Sequence, residues 1–129
     1  MSDTGTSYKL ARIAKKDSRY ALDVYILVLE ALDEMIKVQE SPHHLSAHEL
    51  LEGIRGYAHS RFGMLAADIL ATWGVTDASD VGEVIYNMIA EQVLIANEDD
   101  KRSDFDIYFD FTEPEHEFEY TPQEIPTID

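Results

Sequence analysis

Apolar residues recur at helical spacing without interruption from Ala21 to Val38. Leu22, Tyr25, Ile26, Leu29, Leu32 and Ile36 form one broad stripe, widened by Val24, Val28 and Ala31. Asp23, Glu30, Asp33, Glu34 and Lys37 occupy the wetter face. A stripe this wide predicts a central helix touched from more than one side, so the chain must supply further helices to cover it.

Those helices are marked by their ends. Ser46-Ala47-His48-Glu49 has the form of a capping box, with Leu45 and Leu50 placed for a hydrophobic staple, so a helix starts there and runs to about Arg61. Gly53 and Gly56 lie inside it, and each costs about 1 kcal/mol relative to Ala unless another element approaches closely. Phe62–Trp73 reads as the next helix, with Met64, Leu65, Ile69, Leu70 and Trp73 apolar and Gly74 as its stop. Thr76, Asp77 and Ser79 can cap a further helix through Gln92, in which Val81, Val84, Ile85, Met88 and Ile89 repeat at helical spacing. A short helix over Tyr8–Lys16 precedes them all, and Gln39–His44 with Pro42 is a loop.

After Gln92 the period changes. Val93–Asn97 reads as a short strand and Glu98–Asp104 as a charged loop. Phe105, Ile107, Phe109 and Phe111 then alternate with Asp106, Tyr108 and Asp110, the period of a half-buried strand. The expected fold is therefore α+β and mainly α, four to five helices followed by a C-terminal β-hairpin in winged-helix-like order. Residues 1–7 are expected to be disordered, 8–111 to form a single domain, and 112–129 to be an acidic, aromatic arm.

The motifs Arg19-Tyr20-Ala21-Leu22-Asp23-Val24-Tyr25, Val28-Leu29-Glu30-Ala31-Leu32, His48-Glu49-Leu50-Leu51-Glu52-Gly53-Ile54-Arg55, Thr72-Trp73-Gly74-Val75 and Asp80-Val81-Gly82-Glu83 carry a resemblance. Over roughly Arg19 to Phe111 the chain resembles a small family of uncharacterised proteins known mainly from planctomycetes and verrucomicrobia. The family has no assigned activity, so the resemblance implies no catalytic residue.

Charge narrows the function classes. Asp and Glu number 26 against 10 Lys and Arg, a net charge of -16. Such a chain repels nucleic acid and anionic lipid and favours basic partners. The distribution is uneven: residues 1–20 carry five cations against two acids, whereas residues 98–129 carry 12 acids against two cations. The helix expected before the hairpin carries Asp80, Glu83 and Glu91 and no Lys or Arg, the wrong chemistry for reading DNA. With no cysteine there is no disulfide and no thiolate zinc site. With no apolar leader or span, the cytoplasm is the expected compartment.

Three chemistries are candidates. His43, His44 and His48, with Glu49 or Glu52, are candidates for a metal site and would serve a small metal-dependent enzyme. The carboxylates Glu98, Asp99, Asp100, Asp104, Asp106 and Asp110 lack the spacing of a calcium loop and read as a solvated acidic face. Glu115, Glu117, Phe118, Glu119 and Tyr120 alternate acid and ring, a pattern suited to a partner's sheet edge or basic surface. The leading expectation is a non-enzymatic interaction or adaptor module that binds another protein through this arm and needs no cofactor. A winged-helix-like regulator of nucleic acid is the alternative on topology alone.

Overall fold

The computed structural model describes residues 4–39 and 44–113. Its centre is α2 (Leu22–Lys37) crossed by α3 (Ala47–Phe62), and α1 (Thr4–Lys16), α4 (Ala66–Thr72) and α5 (Ala78–Ala90) complete the bundle. Short 3-10 turns lie at Gly63–Leu65 and Arg102–Phe105. Helix α1 begins at Thr4, so residues 4–7 belong to a helix rather than to the disordered start expected for them. No described helix is long and apolar enough to cross a membrane.

The capping box is present as the sequence predicts. Ser46 Oγ accepts from the Glu49 N–H at 3.1 Å, and Glu49 Oε1 accepts from the Ser46 N–H at 2.8 Å. Helix α5 opens on a related device: Asp80 Oδ2 accepts from the N–H groups of Asp77 at 3.1 Å and Thr76 at 3.0 Å. Gly53 is compensated as expected, because a Cβ there would overlap the Met35 thioether of α2.

The buried face of α2 is rotated from the predicted stripe. Val24, Tyr25, Leu27, Val28 and Ala31 are buried, whereas Leu22, Ile26 and Ile36 are exposed. Apolar residues surround most of this helix, so neighbouring helices select which side is covered. The expected helix from Phe62 is also broken. Helix α3 runs on to Phe62, Gly63 turns at φ 59°, and Met64 and Leu65 stand in solvent on the 3-10 turn.

The hairpin is not formed, and the fold is all-helical among the described residues. Three of the five backbone donors that a strand over Val93–Asn97 would offer are engaged locally. Val93 and Leu94 donate to Met88 O at 2.8 and 3.3 Å, closing the end of α5, and Asn97 donates to Asp100 Oδ2 at 2.7 Å. Asp106 donates to Ser103 O at 3.0 Å and Thr112 to Asp110 Oδ1 at 2.9 Å. No ladder forms from donors already used this way. The alternation after Phe105 has a different use: an unpaired segment drops rings onto helices. Phe105 seats on Gly82 of α5, Phe111 is buried, Phe109 is half-buried, and Tyr108 faces out at 88% exposure. The winged-helix reading loses its wing with this correction. The arm residues Glu115, Glu117, Phe118, Glu119 and Tyr120 lie outside the described residues, as does His43.

Closing α5 forces Gln92 to φ 62°, a left-handed conformation that costs a residue with a Cβ roughly 1–2 kcal/mol. Gln92→Gly is therefore expected to raise stability by about 1 kcal/mol in urea denaturation. A loss of stability instead would show that the Gln92 side chain holds the turn.

Candidate functional site

Three helix ends and a loop enclose an open cleft of about 270 Å³. Leu32 and Ile36 come from the end of α2, Ala47 and Leu50 from the first turn of α3, and Ile85 and Ile89 from the last turns of α5. Leu45, Leu94, Ile95 and Phe105 complete the apolar lining. The cleft exists because the chain closes α5 sharply at Val93 and then returns through the Arg102–Phe105 turn, which leaves the loop between them as a wall. Ile36 and Ile95 are 60% and 93% exposed at its edge.

The rim is polar and mainly acidic. His44 Nε2 meets Asp100 Oδ1 at 2.7 Å, and Asp104 Oδ2 accepts from the Lys101 N–H at 3.2 Å. Tyr86 also lines the cleft, with the Arg102 guanidinium 5.3 Å from its ring centre. Burial, then the charges of Asp100 and Asp104, push the Tyr86 hydroxyl above its usual range, so it stays neutral at physiological pH. Helices α2 and α5 end here and α3 begins here, so two negative helix ends face one positive end. The site therefore favours an apolar group flanked by positive charge.

Of the histidines proposed as metal ligands, His44 is held by Asp100, and His48 pairs with Glu52 at 2.9 Å while lying edge-on to Phe109. They are not brought together on one centre: among the described residues no group of three His, Asp or Glu side chains is placed to hold a metal ion. The acidic residues also have local uses. Asp100 and Asp104 cap turns, and Asp110 accepts from Thr112 Oγ1 at 2.6 Å.

A second polar cluster joins the end of α1 to α2 and α5. Asp17 takes two side-chain bonds from Arg19, at 2.9 and 2.7 Å, and one from Asn87 Nδ2 at 2.9 Å. Asn87 Nδ2 also donates to the buried Tyr25 hydroxyl at 3.0 Å. Glu83 bridges Arg19 at 3.3 Å and Arg102 at 2.8 Å. Nearby, the Tyr20 hydroxyl donates to Asp80 Oδ1 at 2.7 Å. Each of these groups is satisfied by another, so the cluster pins helices together. Its only signal in the sequence is a polar break, Asp17–Arg19, between two apolar periods.

This cluster should contribute to the pH dependence of the fold. Hydrogen bonds from Arg19 hold the Asp17 carboxyl far below its usual 3.8, outweighing burial. Burial pushes Asp80 up, but bonds from Thr76, Tyr20 and Asp77 together carry it below 3.8. A carboxyl depressed in the folded state stabilises fully above its unfolded value and loses that contribution as pH falls toward the folded one. Burial raises the Tyr20 and Tyr25 hydroxyls above 10.0, so their contribution is complete below that pH and declines above it. The urea midpoint should be flat between about pH 5 and 9 and fall at both ends. Asp17→Asn should flatten the acid limb and Tyr20→Phe the alkaline limb; unchanged limbs in both variants would remove the cluster from this role.

No family model, no curated protein and no solved structure matches the chain.

Proposed function

We propose that the chain is a non-enzymatic protein-interaction module whose cleft between α2, α3 and α5 binds a basic segment of another protein. The observation that carries this reading is the cleft itself, an apolar lining open to solvent under an acidic rim. Single exposed apolar residues need no explanation, but Ile36 and Ile95 extend one continuous lining. The polar groups around it support binding rather than turnover, because they pair with one another along the rim. The net charge of -16, concentrated after residue 97, draws a basic partner from a distance.

The test substitutes two exposed positions, Ile36→Lys and Ile95→Lys, which should leave stability within about 0.5 kcal/mol. Proteins retained from native lysate by the parent chain should be lost by the double variant and kept by a chain ending at Glu113. Retention of every partner by the double variant removes the cleft from the reading. Loss on truncation alone moves the contact to the acidic arm.

A further inference from the structure

We infer that the occupant of the cleft is a single short amphipathic α-helix with Lys or Arg beside its apolar stripe. This rests on the reading of the cleft as a docking site and specifies what docks. The first ground is the backbone. An extended segment that docks by strand addition needs a sheet edge to pair its N–H and C=O groups, and the described residues contain no strand to provide one. The loop that forms the nearest wall has its donors engaged at Val93, Leu94 and Asn97. A helix satisfies its own backbone and asks only for side-chain contacts.

The second ground is shape. The lining comes from helix ends converging on one opening, with Leu32, Ile36, Leu50, Ile89, Leu94 and Ile95 available to the visitor. A helix presents anchors at i, i+3 or i+4, and i+7 within about 10 Å of its length. The third ground is charge. Asp100 and Asp104 stand at the rim beside His44 and Lys101, and two helices end there against one that begins. Cations flanking the anchors gain from the two carboxylates and from the excess of negative helix ends, which an acidic helix would meet as repulsion.

The probe is a helical peptide of about fourteen residues, four turns, with Leu at i, i+3, i+4 and i+7 and Lys on the flanks. A scrambled peptide of identical composition and a version with Glu for Lys are the controls. Methyl NMR of the full chain should show shifts at Ile36, Leu50, Ile89 and Ile95 with the Lys peptide. Anisotropy should show binding about tenfold weaker for the scrambled peptide, for the Ile36→Lys/Ile95→Lys variant, and at high salt. Equal binding of the scrambled peptide would reduce the effect to nonspecific charge and overturn the inference. So would equal binding of the Glu peptide, or shifts confined to another surface. If the Lys peptide fails while the double variant still loses its captured partners, the docking reading stands and the helical occupant falls. If the double variant loses nothing, both fall.

Discussion

Gly74→Ala is expected to cost the fold about 3 kcal/mol and to lower the melting temperature by about 10 °C. Gly74 lies at φ 105°, a conformation that residues with a Cβ rarely adopt. It also lies where the linker between α1 and α2 crosses the end of α4. The Ala21 N–H donates to Trp73 O at 3.0 Å, and the Val75 N–H closes α4 on Leu70 O at 2.8 Å. A Cβ at Gly74 would overlap the carbonyl oxygen of Arg19 and meet Tyr20 Cδ1 at 2.9 Å. The obstacle is backbone, so relief requires moving the chain that carries Tyr20, and with it the bond to Asp80. Gly63→Ala is the control. It has φ 59° but nothing within 4 Å of a new Cβ, so its cost should stay near 1 kcal/mol, from conformation alone. Equal losses from the two substitutions in urea denaturation would mean that the crossing at Gly74 does not constrain the fold.

Arg55→Ala should cost about 3 kcal/mol and release the segment after Phe105. Arg55 is 4% exposed on α3, a rare position for a cation. Its guanidinium lies 4.4 Å from the Phe109 ring centre, and Nη1 donates to Asp110 O at 3.0 Å and approaches Glu113 Oε1 at 3.5 Å. One turn on, His59 Nε2 meets Phe111 O at 2.7 Å. A desolvated cation–ring contact and a charge-assisted hydrogen bond are each worth about 2 kcal/mol. Against them stands Nε, which is buried without a partner and offsets part of the gain. Arg55→Met keeps the stem over Phe109 and should recover about half of the loss, because the carbonyl of Asp110 stays unpaired. Amide exchange at Phe111 should accelerate more than at Leu51 of the same helix, a local opening that general destabilisation would not produce. Uniform acceleration along α3 would remove Arg55 from its role as a clasp.

Helix positions were legible where local chemistry sets them. Ser46 and Glu49 announce the start of α3 because both partners of the capping box lie within one turn. The compensated Gly53 and the turn at Gly74 were legible for similar reasons. The buried side of α2 was not, because Leu22, Ile26 and Ile36 are as apolar as Val24, Leu27 and Val28, and contacts distant in sequence choose between them. The described C-terminal segment forms no strands for a related reason. Alternation of Phe105, Phe109 and Phe111 with acids describes any extended segment with one face covered, and whether a neighbouring strand or a helix does the covering leaves no local trace. The cleft was half legible. His44, Leu45, Leu50, Leu32, Ile36, Ile85 and Ile89 each stand out in the sequence, as metal candidate, staple or stripe. What brings them together is the sharp end of α5 at Gln92 and the return at Arg102, which no periodicity encodes.

The two rings that finish the interior, Phe105 and Phe111, are supplied by the last described stretch of chain, against helices made well before it. Synthesis proceeds from the N-terminus, so α1 to α5 can leave the ribosome while the seat on Gly82 and the buried charge of Arg55 are still uncovered. The nascent protein thus passes through a stage in which its helices exist and its interior is open to water. That stage ends only when Phe105 and Phe111 reach their seats, and until then the chain exposes an apolar surface that the finished molecule hides.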